Sequence, residues 1–383
     1  MYTVEYYTMQ MISTIYEYLY NTTSGEISYS IFGKILETVP KNRKRIQDTD
    51  ICMTSRVTQS VKRFCDANKN KTNTYAISLS GGIDSMVLAT IVKALGYSVV
   101  ALHINYNNRP ETKSEQIFLE KWCHYNDIRL YIKEIKDLTR STTKRSDYEA
   151  LTKQIRFAFY TSVLQDEDLE FILLAHHRDD IVENVFANVC RARYILNLAV
   201  IKETSEIEGV TICRPLIDHY KDDIINFAKR NDTPYFKDTT PGWSVRGKYR
   251  NIIAPAIEDA FTNNVKDNLI QLGRQSDEWN SLIEAEILTP FLDAVEYNPY
   301  SVRFNIERWL YHPHCFWMQV FMRIFHRYRT NSPSRKSVQN FMNNLALNTC
   351  QNIALTNTTK SRLKNNWITI EFIELFNRFN PKI

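Results

Sequence analysis

The sequence predicts an α/β fold: a doubly wound parallel sheet, preceded by an N-terminal helical extension and followed by a mainly helical C-terminal domain. Two observations carry this expectation. Between residues 75 and about 218, apolar runs of roughly six residues, rich in β-branched side chains, alternate with longer segments of helical periodicity, as buried parallel strands joined by helices would. In addition, a chain with only nine glycines in 383 residues sets two of them side by side, Gly81 and Gly82, just where the first strand should hand over to a helix.

Taken in order, residues 1–70 read as the helical extension, with Val57, Val61 and Phe64 of "SRVTQSVKRFCDANK" at helical intervals. "NKNKTNT" is a polar linker. The domain expected over 71–218 opens with the strand "YAISLS" and the helix "SMVLATIVKALG", closed by Gly96. The strand "SVVALHI", the helix "SEQIFLEKWCHYN" and the strand "LYIKEI" follow. After them come the helix "YEALTKQIRFAFYTSVL", the strand "EFILLA" and the helix "DIVENVFANVCR", with Ile181, Val182, Val185 and Val189 expected on one face. "VTICRPL" is a further strand. Residues 219–262 form a connecting segment containing the helix "KDDIINFAKRN" and the polar stretch "DTTPGWSVRGKYRN". Over 263–383 the alternation stops. An aromatic helix, "ERWLYHPHCFWMQVFMRIFHRYR", is expected to be interrupted early by Pro313, with Trp309, Phe316 and Trp317 forming core. "SRKSVQNFMNNLA" is another helix, and "NIALTNTTKSRLKNNWITIEF" a closing β-hairpin.

Composition narrows the function classes. A formal net charge of +5 permits a nucleic-acid partner without demanding one. Seven cysteines with no CxxC pair speak against a disulfide framework, a zinc ribbon or a Cys-ligated cluster. The N-terminal "MYTVEYYTMQMISTIYEYLY" carries Glu5 and Glu17 and no basic lead, unlike a signal peptide. No apolar stretch approaches the ~20 residues of a membrane span. The expectation is a cytoplasmic protein with no membrane partner.

The stretch "SLSGGIDS" carries the first chemical signal. Without Cβ atoms, Gly81 and Gly82 would let a phosphate approach the backbone amides at a helix N-terminus, and Ser80 and Ser85 would add hydroxyl donors. The loop is neither GxxxxGK[ST] nor GxGxxG. Asp84 has two readings: a carboxylate that meets phosphates through Mg²⁺, or a helix-capping acid in an ordinary tight turn. A second signal is "LLAHHRDDIVENV". There His176 and His177 end a strand, while Asp179, Asp180 and Glu183 fall in the first turns of a helix, either as site acids or as a solvated, well-capped helix start.

Ser80-Gly81-Gly82-Ile83-Asp84-Ser85 resembles the SGGxDS loop of the PP-loop ATP pyrophosphatases, which split ATP between its α and β phosphates. The second stretch is similar to the HHxDDxxET element of the tRNA(Ile)-lysidine synthetases, with His177, Asp179, Asp180 and Glu183 in matching places and Asn184 replacing the threonine. "HINYNNRPE" resembles that family's HVDHGLR stretch, with Asn105 and Tyr106 where Asp and His would stand and Arg109 retained. "YEALTKQIRFAFY" is similar to its E-x-x-x-R-x-x-R-Y helix, placing Glu149 and Arg156, with Lys153 at the first arginine. Arg214, Asp238, Arg246, Lys248 and Arg250 also align, with Gly247 in place of Asn. The likeness is dense from about 75 to 257 and faint beyond.

The resemblance implies a Rossmann-like domain binding ATP through Ser80, Gly81, Gly82, Ile83, Asp84, Ser85, Arg156 and His177. It implies Mg²⁺ at Asp84 and Asp180, and chemistry by Asp84, Asp179, Asp180 and Glu149. Arg109, Arg246, Lys248 and Arg250 would contact tRNA. The implied reaction adenylates an anticodon cytidine and couples it to an amine, lysine being the family's choice. Three readings compete: a tRNA thiolase using cysteines such as Cys123, Cys190 or Cys213; an amidating enzyme acting on a small metabolite; and a catalytically silent RNA-binding homologue.

Overall fold

A computed structural model of the protein describes residues 36–38, 45–46, 51, 53–69, 71–108, 111–136, 143–236, 240, 242–261, 264–346, 353 and 355–373. Most of the expected N-terminal extension therefore lies outside the described residues. The chain divides into two compact units, one ending at Gly273 and the other beginning at Arg274.

In the first unit a short strand, β1 (Leu36–Thr38), precedes α1 (Arg56–Ala67), whose Val57, Val61 and Phe64 are buried as the helical spacing predicts. The main sheet is built from β2 (Thr74–Ser78), β3 (Ser98–Asn105), β4 (Arg129–Glu134), β5 (Phe171–Leu173), β6 (Thr204–Ile207) and β7 (Val210–Cys213). Their spatial order is β4-β3-β2-β5-β7-β6. All neighbours are parallel except β6, which returns antiparallel to β7. That edge strand escaped the sequence reading because "TSEI" is polar and only half-buried.

Residue alternation sorts the core into two layers. Tyr75, Ile77, Leu79, Val99, Ala101 and Leu173 point to one face. They pack there with α1, α2 (Ile83–Ala94), α3 (Glu111–Tyr125) and α6 (Lys221–Arg230). Ala76, Val100, Leu102, Ile172, Val210 and Ile212 point to the other, beneath Phe157, Tyr160, Val163 and Leu164 of α4 (Arg145–Asp166). Period-two alternation with helices on both faces makes the sheet doubly wound. Helix α2 is enclosed nearly all round, with ten of its twelve residues buried. Strand β2 lies between β3 and β5, so the chain winds outward through β3 and β4 and then returns past β2 to β5. This reversal opens a crevice beyond the carboxyl ends of β2 and β5. The loops after those two strands carry the glycine pair and His176-His177. Helix α5 (Arg178–Cys190) follows β5, burying Val182 and Val185, while Val189 is 47% exposed rather than part of that face.

Three helical segments follow β8 (Tyr235–Phe236), which pairs with β1: α7 (Val245–Lys248), a π-turn over Tyr249–Ile253 and α8 (Ala254–Phe261). The boundary of the units falls within helix α9 (Val265–Ile283).

Beyond α9, the second unit contains a π-turn, Glu284–Leu288, and α10 (Thr289–Asp293). The hairpin expected near the C-terminus is present as β11 (Thr359–Lys364) and β12 (Trp367–Phe372). It joins a second hairpin, β9 (Glu296–Asn298) and β10 (Ser301–Asn305), in an antiparallel sheet of order β11-β12-β10-β9. The signal for β10 was the inward alternation of Val302 and Phe304 after the turn at Asn298-Pro299. Pro313 does not interrupt a helix: it sits immediately before α11 (His314–Arg327), where its missing N–H costs nothing. Trp317 is fully buried against Phe291, Phe304 and Phe341, and Phe316 stacks on Trp309 at 5.5 Å. Phe341 belongs to α12 (Arg335–Ala346).

Trp317→Ala should cost the protein about 3–5 kcal/mol. Chemical denaturation combined with amide exchange in β10 and β12 measures the loss.

Candidate active site

The crevice between β2 and β5 deepens into a cleft of about 840 Å³. Ser80, Gly82, Ile83, Asp84 and Ser85 line one side, with Arg156, His176, Asp180, Lys221, Arg246 and Arg250 among the other walls. The size suits a nucleotide-scale ligand.

The two glycines have different reasons to be there. Gly81 has φ +83°, and a Cβ on it would stand 2.1 Å from the Phe236 ring, so the chain itself forbids a side chain. The Phe236 N–H donates to Gly81 O at 2.9 Å, fixing that approach. Gly82 has ordinary φ −70°, and its nearest contact to an added Cβ is Ser80 Oγ at 3.4 Å. Protein packing does not require Gly82, and the space it leaves is cleft. The amides of the first turn of α2 have no acceptor within the helix. The loop is braced from within: Ser85 Oγ donates to Gly82 O at 2.9 Å, and Ser80 N–H donates to Ser85 Oγ at 3.2 Å. Gly82 N–H donates to Ser80 Oγ at 3.3 Å, so both serine hydroxyls shape the loop.

The N-termini of α2, α5 and α6 meet at this cleft, and the first two bring acids to it at their positive ends. Each acid meets a cation from later in the chain. Lys221 Nζ lies 2.7 Å from both oxygens of Asp84. Asp179 accepts the backbone N–H of Lys221 at 2.8 Å and pairs with Lys266 at 3.1 Å. Asp180 meets Arg246 at 2.5 Å and accepts the backbone N–H of His177 at 3.1 Å. Glu183 holds Arg246 at 3.2 Å and Arg250 at 3.1 Å. The His177 ring is buried among three carboxylates, 3.7 Å from Asp84, 3.6 Å from Asp179 and 3.4 Å from Asp180. Burial works against the charge of Asp179, but the His177 ring, the Lys221 amide and Lys266 hold its carboxyl well below the usual range. At Asp180 burial is likewise outweighed, here by His177 and Arg246, so the carboxylate stays ionised.

His176 behaves differently. Burial pulls its ring down to about 4, with Arg214 and Arg246 adding to the effect against the pull of Asp180. Its Nδ1 accepts from Arg214 Nε at 3.0 Å, which leaves the proton on Nε2 of a neutral ring lining the cleft.

Asp84, Asp179, Asp180, His177, Arg246 and Arg250 thus come together, with Ser80 to Ser85 beside them. Arg156 lines the cleft over the Phe157 ring, and desolvation raises the half-buried Tyr106 phenol beside it. Glu149 is exposed on an early turn of α4 and is not among the cleft-lining residues. Lys248 is exposed to solvent. Arg109 and Asp238 lie outside the described residues. Asn184 braces Val200 N–H and Asn188 rather than the acids, and Gly247 N–H caps onto Ser244 Oγ. Lys221 and Lys266 were missed by sequence reasoning. The available signal was a lysine at the first position of α6, where the helix dipole disfavours a cation.

Among the described residues no group of three or more His, Cys, Asp or Glu side chains forms a metal cage. Asp84 offers a single carboxylate, the kind of oxygen ligand a hard cation takes, and Lys221 occupies it at 2.7 Å. Cys123 and Cys213 are buried, burial pushing the Cys123 thiol up to about 12 and the Cys213 thiol in the same direction. They are core fillers rather than ready nucleophiles.

A doubly wound sheet with a glycine loop and paired acids at its switch point defines a nucleotide-binding α/β protein. The PP-loop domain family profile matches residues 53–257, and the chain belongs to that family. It is 27% identical over 238 residues to the tRNA(Ile)-lysidine synthase of Chlamydia felis, covering 62% of this chain and 74% of that protein. The enzyme of the same name from Chlamydia pneumoniae is 26% identical over 290 residues, covering 74% of this chain and 88% of the relative. That of Streptococcus agalactiae is 28% identical over 207 residues, 52% of this chain and 45% of the relative.

Gly81→Ala should destabilise the protein by about 2–4 kcal/mol, combining backbone strain with the clash at Phe236. Gly82→Ala should change stability by less than about 1 kcal/mol yet weaken ATP binding by roughly tenfold or more. Urea denaturation and titration calorimetry separate the two. For His176, the folded value of about 4 lies below the ordinary 6.5. Stability carried by the neutral ring is therefore full above the ordinary value and falls as pH drops toward the folded one. Imidazole NMR should show the Nε2–H tautomer intact at about pH 6, where an unperturbed histidine is mostly protonated.

Proposed function

We propose that the protein is an ATP-dependent tRNA-modifying ligase that adenylates an anticodon cytidine and couples it to an amine, lysine foremost. The observation that carries this reading is the pairing of two motifs across one switch-point crevice, the SGGxDS loop after β2 and the histidine–aspartate element after β5. Relatives named tRNA(Ile)-lysidine synthase support the RNA substrate.

In this reading the open face of Gly82 and the amides of α2 cradle the polyphosphate, where dipoles fixed before reaction absorb developing charge. The C2 oxygen of cytidine bonds to the α-phosphorus as the α–β anhydride bond breaks and pyrophosphate leaves. The amine then bonds to C2, the C2–O bond breaks and AMP departs. Asp179 and Asp180 stay ionised, and their depressed carboxyls suit holding the positive charge of the incoming amine better than taking its proton. Glu149, exposed on an early turn of α4 and outside the cleft lining, would hold the incoming amine as it approaches. Arg156 would contact the nucleotide. Asp84 and Asp180 would hold a Mg²⁺, which would supply positive charge against the leaving pyrophosphate. Arg246 and Arg250 link the acids to a helix whose Lys248 faces solvent, and this surface, with Arg109, would meet the tRNA.

Purified protein with ATP and Mg²⁺ should release pyrophosphate, and bulk tRNA should stimulate the release. Asp84→Ala should lower the rate by about 10²-fold or more. Release indifferent to tRNA would point to a small-molecule acceptor, and tRNA binding without any release to a silent homologue.

A further inference from the structure

Phosphate loops of the GxxxxGK[ST] kind carry their own lysine. Here Gly82 is followed by Ile83, Asp84, Ser85 and Met86, so α2 brings no cation to its own N-terminus. The cation that reaches the loop comes from 137 residues away: Lys221 Nζ bridges both oxygens of Asp84 at 2.7 Å. Lys221 and Asp84 line the same cleft as Gly82. Both side chains are partly exposed to it, 31% and 25%.

The position of Lys221 is unusual for a merely structural cation. It is the first residue of α6, where the helix dipole favours acids, and Asp222 and Asp223 follow it accordingly. Its backbone N–H is held by Asp179 at 2.8 Å, which fixes the Cα while leaving the four-carbon stem free to swing. A polyphosphate arriving at Gly82 would stand beside the Asp84 carboxylate, and the two anions repel unless a cation separates them. Lys221 is the cation already at that place.

We propose that Lys221 is the mobile cationic arm of the polyphosphate site. In the ligand-free chain its ammonium is parked on Asp84. When nucleotide binds, it turns to the β- and γ-phosphate oxygens and stays with pyrophosphate as that group leaves, freeing Asp84. The inference rests on reading the cleft as an ATP site and adds a residue to it.

Calorimetric binding of pyrophosphate and of AMP, each in EDTA, tests it on wild-type protein, Lys221→Met and Lys221→Arg. Lys221→Met should weaken pyrophosphate binding by roughly tenfold or more while changing AMP by less than about threefold. Lys221→Arg should recover most of the pyrophosphate affinity. In the wild-type protein the Lys221 ammonium resonance should shift on adding pyrophosphate and not on adding AMP, a readout that does not depend on a variant folding. Equal pyrophosphate binding by Lys221→Met, or an ammonium signal unmoved by pyrophosphate, overturns the inference and leaves the ATP reading standing. Wild-type protein that binds neither ATP nor pyrophosphate overturns both.

Discussion

Charge compensation at the switch point governs how the first unit is put together. The N-termini of α2 and α5 bring Asp84, Asp179, Asp180 and Glu183 into one crevice, where any two bare carboxylates at about 4 Å would repel by roughly 4 kcal/mol. The compensation arrives from residues 221 to 266, as Lys221, Arg246, Arg250 and Lys266. The segment after β7 therefore has to fold back over the sheet's carboxyl edge. Helix α6, the π-turn at Tyr249–Ile253 and the start of α9 are the means by which it does so. The π-turn lies where Arg246 and Arg250, four residues apart, both reach Glu183.

The same economy appears in the glycine loop. Gly81 is a packing glycine, forced by Phe236 and by its own positive φ, whereas Gly82 leaves room that nothing in the chain fills. Phe236 comes from β8, after the second motif, so the first motif's geometry depends on a residue far along the chain. Ser80 and Ser85 close the loop on itself, which holds the remaining backbone amides at the mouth of the cleft. A rigid cradle that needs no rearrangement is what electrostatic catalysis asks for.

Arg246 and Arg250, which the family resemblance leads one to expect at the tRNA, serve the acids in the fold. Arg246 and Arg250 reach inward to Asp180 and Glu183, while Lys248 on the same helical segment looks outward. One short helix thereby couples a solvent-facing surface to the carboxylates of the cleft. A ligand that drew Arg246 outward would leave Asp180 with less compensation, raising its basicity as an acceptor.

By itself, the sequence determined the parallel sheet, the place of both motifs and the helix starts that carry them. Local pattern suffices for these: alternation and periodicity come from neighbouring residues, and "SGGIDS" and "HHRDD" sit at strand ends whatever the rest of the chain does. The polar edge strand β6 and the hairpin containing β9 were not legible, because one is half-buried and the other very short. Tertiary structure alone decided which cation meets which acid. Lys221 and Asp84 are 137 residues apart, and a lysine among aspartates at a helix start reads as an ordinary surface charge until the fold brings it to the loop. It likewise decided that Gly81 and Gly82, identical in sequence, do different work, since only packing shows which has a wall behind it and which an opening.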